Sequence, residues 1–144
     1  MPDPADAPQP DAADVRFAIL RLSRRLRAQR AVDSMSDGQL AVLAGVQWGG
    51  LRTLGALAEH ERVTAPSMNR TVNCLEEAGY VTRTPDEQDR RKVIIDLTDA
   101  GRRVLEETAR RRDAWLEDAL ADLTPAQRAA LAAALPVMRQ VAER

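Results

Sequence analysis

Cysteine, histidine and aromatic residues are scarce in this chain. One Cys and one His among 144 residues exclude a disulfide framework within the chain, a cysteine-rich zinc site, and any metal site that needs two histidine ligands. No cofactor and no metal are expected. Aromatic residues make up 3%, namely Phe17, Trp48, Tyr80 and Trp115. No apolar run approaches the ~20 residues of a membrane span. The first residues carry acids and prolines instead of a basic segment followed by an apolar one, so no secretory signal is read there. The expectation is a cytoplasmic protein of one domain with no membrane partner. Nor is there a nucleophile–His pair, a phosphate-binding glycine loop or a metal-ligand set, so the chain is not read as an enzyme.

Positive charge is not in excess either. Lys and Arg total 21 against 22 Asp and Glu, a net of −1, which on its face argues against a nucleic-acid partner. Residues 1–14 change that sum. They hold Asp3, Asp6, Asp11 and Asp14, four prolines and no basic side chain, and read as a flexible acidic tail with too little apolar surface to fold. Without them 21 basic groups face 18 acidic ones, a net of +3 over 15–144. All but Lys92 are arginines. A GC-rich genome would account for that as well as selection would, but Arg is the better residue for bidentate phosphate and guanine contacts.

What is present is helical periodicity, interrupted once. Val15, Ile19, Leu22 and Leu26 predict a helix from Val15 to about Val32. Ser36 with Gln39 three residues later is a capping box, opening a helix with Leu40, Val42, Leu43 and Val46 that Gly49-Gly50 closes. Thr53 caps a short helix from Leu54 to about Glu59, with Leu54, Leu57 and Ala58 inward. After a tight connection, Thr64 caps another helix, ended by Gly79; Met68, Val72 and Leu75 give it one buried stripe. The period then changes. Residues 80–84 and 92–97 read as two strands around the charged turn 85–91, an antiparallel hairpin. Thr98 caps a long helix to about Leu120, with Val104, Leu105, Thr108, Trp115 and Leu116 as inward candidates. Thr124, Pro125 and Gln127 start a last helix that Pro136 should kink or break.

This order predicts a mainly α fold with a small β-hairpin wing (α+β), a winged helix-turn-helix over 36–98. The physical logic suits double-stranded DNA, whose major groove admits a helix and shows a distinct donor and acceptor pattern at each base pair. With Met68, Val72 and Leu75 inward, Ser67, Asn69, Arg70 and Asn73 are left to solvent or a ligand. Arg can read guanine O6/N7 and Asn can read adenine N6/N7. The same face could be an ordinary solvated surface. The hairpin tips the balance, because a bare solvated turn does not need Arg90-Arg91-Lys92 bunched behind three acids.

Four pieces, in order and at the right spacing, make the sequence resemble the MarR-type transcriptional regulators. Leu54-Gly55-Ala56-Leu57-Ala58-Glu59 is similar to the first helix-turn-helix element of that family. The run from Ser67 to Val81 resembles its recognition helix and following strand. Asp89-Arg90-Arg91-Lys92 followed by Val93 to Thr98 fits its wing signature, and Thr98-Asp99-Ala100-Gly101 the start of the helix after the wing. The match is close over about Ser36 to Glu107 and looser in the flanks.

The resemblance implies a homodimer in which the terminal helices, 15–35 and 99–144, form a dimer layer. Leu131, Leu135, Met138 and Val141 would then find an intermolecular partner; packing on the long helix of the same chain is the other outlet. It also implies that Arg91 enters the minor groove, that Asp89 orients it, and that Arg90 and Lys92 meet phosphates. With Thr64, Ser67, Asn69, Arg70 and Asn73, these are the DNA-binding candidates. Regulation would be repression, at a pseudo-palindromic operator with ~10 bp between half-site centres. Many members bind small phenolic or carboxylate effectors between the dimer layer and the DNA-binding lobe; Phe17, Trp48 and Arg52 are the candidates here. Trp48 and Phe17 could equally be core. Two departures from the family pattern stand out. Arg62 replaces a common turn Gly, and Cys74 replaces a common charged residue. Redox sensing through Cys74, or a winged-helix module that binds protein instead of DNA, are the alternatives.

Overall fold

The computed structural model describes residues 9–144. Helices α1 (Ala12–Ala28), α2 (Asp37–Gly49), α3 (Leu54–Glu61) and α4 (Ala65–Glu77) precede strands β1 (Val81–Pro85) and β2 (Val93–Leu97). Helices α5 (Asp99–Ala121) and α6 (Pro125–Ala142) follow. The expected α+β class and element order are observed. No single described helix is long and apolar enough to cross a membrane.

Local chemistry sets the element boundaries. Ser36 and Gln39 form the reciprocal capping box, and Gly50 closes α2 in the left-handed conformation. Thr53, Thr64 and Thr98 each accept a backbone N–H at the start of α3, α4 and α5. Thr124 and Gln127 form a second capping box at α6. Each such cap stabilises its helix by about 1 kcal/mol, because the first-turn N–H groups have no intrahelical acceptor. Gly79, at φ 81, turns the chain out of α4.

The core lies in one lobe. Leu40, Val42, Leu43 and Val46 of α2 pack with Leu57 of α3, Met68, Val72 and Leu75 of α4, Val81 of β1 and Ile95 and Leu97 of β2. Met35, in the loop before α2, completes it. The strands pair antiparallel from Val81 opposite Leu97 to Pro85 opposite Val93. The Ile95 N–H also donates to Arg52 O at 2.8 Å, so the loop after α2 edges the hairpin.

Helix α5 joins this lobe to the rest. Its Leu105 and Thr108 are buried, whereas Val104, Trp115 and Leu116 are only half-buried. Gly101 passes so close to the strand that a Cβ there would lie 2.2 Å from the Tyr80 carbonyl oxygen. That same oxygen accepts from Thr98 N–H at 3.0 Å. Farther along α5, the Thr108 hydroxyl accepts from Ala31 N–H, and Arg111 and Arg112 donate to the carbonyls of Arg30 and Leu26. The α1 end and the α1–α2 loop are thus tied to α5. Helices α1 and α6 bury no residue in the single chain.

Three expectations need correction. The tail was expected to extend to Asp14 and the helix to run to about Val32. Residues 1–8 lie outside the described residues, but α1 already starts at Ala12, with Asp11 at its N-cap and Asp14 in its first turn, where carboxylates suit the helix dipole. It ends at Ala28, and Val32 lies beyond it. Of the kink or break expected at Pro136, the break is not seen: α6 runs through it. Proline removes one backbone donor and crowds the carbonyl four residues back. That carbonyl belongs to Ala132, which is exposed, so water can bond it in place of the missing donor. Finally, the short helix α3 extends two residues past Glu59, and the strands are Val81–Pro85 and Val93–Leu97, one residue later at the start of each than expected.

Candidate nucleic-acid interface

Helices α3 and α4 are joined by Arg62, Val63 and Thr64. Arg62 is the one non-glycine residue at positive φ among those described, φ 53 and ψ 43. Its backbone N–H reaches back to Glu59 O and that of Val63 to Ala58 O, which fixes the turn. A non-glycine residue in this region carries backbone strain of roughly 1 kcal/mol or more. The turn therefore keeps an exposed guanidinium at a conformational cost.

Along α4, the spacing that buries Met68, Val72 and Leu75 leaves Arg70 and Cys74 exposed on the far side. Ser67 is half-buried, and its N–H meets the Thr64 hydroxyl oxygen at 3.4 Å. That hydroxyl is used as an acceptor, which leaves its own proton free to donate. Asn69, Asn73 and Glu76 recur at i, i+4 and i+7 and face the hairpin. There Arg83 of β1 meets all three. Nη1 donates to Asn73 Oδ1 at 2.6 Å and to Glu76 Oε2 at 3.1 Å, and Nη2 to Asn69 Oδ1 at 3.0 Å.

Sequence reasoning missed Arg83. Its signal was the two-residue period of the strand. Val81 is buried, so Arg83 falls on the same face of β1, against α4. A guanidinium on an inward strand position has to find acceptors.

The wing tip is held from inside. Asp86 N–H donates to Lys92 O at 2.9 Å, and Lys92 N–H to Asp89 O at 2.8 Å. The Asp86 carboxylate accepts from the Gln88 and Asp89 N–H groups at 2.7 and 3.3 Å. These two backbone donors, Gln88 first, hold its pKa below the ordinary 3.8, with a smaller pull from Lys92. Asp89 Oδ1 accepts from Arg91 N–H at 3.1 Å and lies 3.4 Å from Arg91 Nε. Arg91 is nevertheless 94% exposed at its side chain, and Arg90 and Lys92 are exposed beside it. Three cations are thus displayed on a turn tied by the N–H groups of Asp86, Gln88, Asp89, Arg91 and Lys92. A groove of about 400 Å³, lined by Thr53, Leu54, Asn69, Arg83, Lys92 and Val93, separates this wing from α4.

The three effector candidates do not come together. Trp48, 66% exposed at the end of α2, lines a cavity of about 380 Å³ with Leu40, Ala44, Leu105, Arg27 and Arg112. Arg52 is ion-paired to Asp96 on β2 instead. Phe17 projects from α1 under the Arg16 guanidinium, whose carbon lies 5.2 Å from the ring centroid. Among the described residues no group of His, Cys, Asp and Glu could hold a metal ion.

Comparison with known proteins gives one consistent picture. The model of the MarR family matches residues 35–93. A protein of Mycobacterium bovis, named as an uncharacterized HTH-type transcriptional regulator, is 36% identical over 127 residues, 88% of this chain and 89% of that one. A crystal structure of a candidate transcriptional regulator from Pseudomonas aeruginosa superposes with a TM-score of 0.82 at 32% identity, over 92% of this chain and 94% of that one. A MepR variant from Staphylococcus aureus, solved bound to an oligodeoxyribonucleotide, shares the fold at TM-score 0.67 and 20% identity, over 92% and 99% of the two chains.

Proposed function

The chain belongs to the MarR family of DNA-binding winged-helix transcriptional regulators, and we propose that it acts as a homodimeric repressor of a pseudo-palindromic operator. Helix α4 enters the major groove, where Ser67, Asn69, Arg70 and Asn73 face the bases and Thr64 a phosphate. The wing, residues 84–92, reaches the minor groove with Arg91, while Arg90 and Lys92 neutralise phosphates. The observation that carries this reading is the wing tip: a guanidinium paired with Asp89 yet 94% exposed is oriented before any partner arrives. Such preorganisation favours insertion into a narrow, electronegative groove. The oligonucleotide bound to the related MepR variant is consistent with this use of the fold.

Dimerisation through α1, α5 and α6 is supported by the exposed apolar residues of the terminal helices, Phe17, Ile19, Leu20, Leu131, Leu135, Met138 and Val141 among them. The cavity beside Trp48, between α2 and α5, would take a small aromatic or carboxylate effector. Such a ligand would release DNA only by binding one relative placement of lobe and layer better than the other. The working compartment is the cytoplasm, where the promoter is.

Genomic fragments retained by the protein supply the operator. On that duplex, Arg91→Ala should abolish the gel shift while leaving the elution volume on a sizing column unchanged. If Arg91→Ala binds as tightly as the parent, the wing is not the minor-groove reader.

A further inference from the structure

The Arg83 fork has a consequence for which bases α4 can read. A guanidinium has only donors, so the atoms of Asn69 and Asn73 that face it must be their carboxamide oxygens. The amide orientations are therefore fixed by chemistry. Each oxygen lies 2.6–3.0 Å from a guanidinium nitrogen, and each NH2 group lies on the other side of its amide. Glu76, the one carboxylate of this stripe, is engaged by the same group at 3.1 Å and so is partly neutralised at the edge of a surface meant for DNA.

A free Asn reads adenine by accepting from N6 and donating to N7 together. Here one lone pair of each oxygen is taken by a guanidinium N–H, and the cation beside it weakens the second lone pair as an acceptor for an adenine amino group. The same polarisation strengthens the N–H donors of each amide. Their complements in the major groove are the acceptors O6 and N7 of guanine and O4 of thymine. We propose that Arg83 is a specificity-determining positioning residue: it biases Asn69 and Asn73 toward donating, so that the operator carries guanine, whose O6 and N7 both accept, and not adenine beneath them. This rests on the reading that α4 enters the major groove, and it adds the base class that α4 selects there.

The test is selection of bound duplexes from a randomised pool, followed by sequencing, for the parent, Asn69→Ala, Asn73→Ala, Arg83→Met and Arg83→Lys. The alanine variants identify the base positions read by each amide, as those whose preference they flatten. At those positions the parent should enrich a G·C pair over an A·T pair by roughly five- to a hundredfold, the range of one good base contact. Arg83→Met should shift them toward A·T, with Arg83→Lys intermediate, because an ammonium cannot span both amides. A parent that prefers A·T at those positions overturns the proposal. So does an Asn→Ala pair that flattens none, or a folded Arg83→Met with the parent's preference. If Arg83→Met fails to fold, the parent's base at the alanine-mapped positions still decides. A parent that enriches no sequence at all refutes the DNA reading itself, a distinct outcome.

Discussion

From α2 to β2 nearly every large apolar side chain finds a partner inside the chain, whereas α1 and α6 leave theirs on the surface. Leu43, Leu57, Val72 and Leu75 are fully buried in the lobe; Phe17, Leu20, Leu135 and Val141 are exposed on the helices outside it. The difference is one of geometry more than composition. The lobe stacks three short helices against a hairpin and so encloses a volume, while α1 and α6 are long helices that α5 alone cannot cover. A core closed within the chain fixes the reading head. An apolar face left open calls for a second surface, which in the proposed dimer a second copy would supply.

The largest expected effect breaks the lobe. Leu75→Ala, at a side chain 1% exposed, should cost about 2–5 kcal/mol through lost burial and the cavity left behind. Denaturant unfolding followed by circular dichroism measures it. A cost below about 1 kcal/mol would place Leu75 outside the core.

Next comes the open face. Leu135→Glu with Met138→Glu puts two carboxylates on the exposed apolar stripe of α6. In a monomer this surface change should shift stability by no more than roughly 0.5 kcal/mol per site. In a dimer it should halve the mass seen by sedimentation and weaken operator binding with it. An unchanged mass would mean that the stripe is covered from within the chain.

The smallest effect concerns the wing tip. Asp86 has a lowered pKa because Gln88 and Asp89 N–H groups bond its charged form. A lowered carboxylate pKa stabilises the turn at every pH above the ordinary 3.8, and the contribution fades as pH falls through the lowered value. The backbone amide resonance of Gln88 should therefore stay constant down to about pH 4 and move only below it. A midpoint at or above the ordinary value would mean that the tip is loose in solution and shares none of the order of the lobe.

Much of this contrast was legible in the sequence, because it rests on local signals. Capping threonines, the Ser36–Gln39 box and the Met68, Val72, Leu75 stripe each depend on residues within a turn or two of one another. The motif order carried the fold class for the same reason. What escaped depended on contacts between distant segments. Arg83 looks like any strand arginine until α4 is placed beside it. The Thr108 hydroxyl reads as a helix residue until Ala31 arrives to use it. The separation of Trp48 from Phe17 and Arg52 likewise needed the packing of α2 against α5 and the pairing of Arg52 with Asp96. The helix continues through Pro136 because water can bond the Ala132 carbonyl at an exposed position.

The central claim is that the reading lobes are held by a layer that only a second copy completes. Sedimentation equilibrium of the full chain at micromolar concentration, free and on its selected duplex, tests this most directly. The account predicts a species of twice the 15.9 kDa chain mass in both cases, with two chains on each duplex. A folded particle of a single chain mass that binds a half-site alone would contradict it.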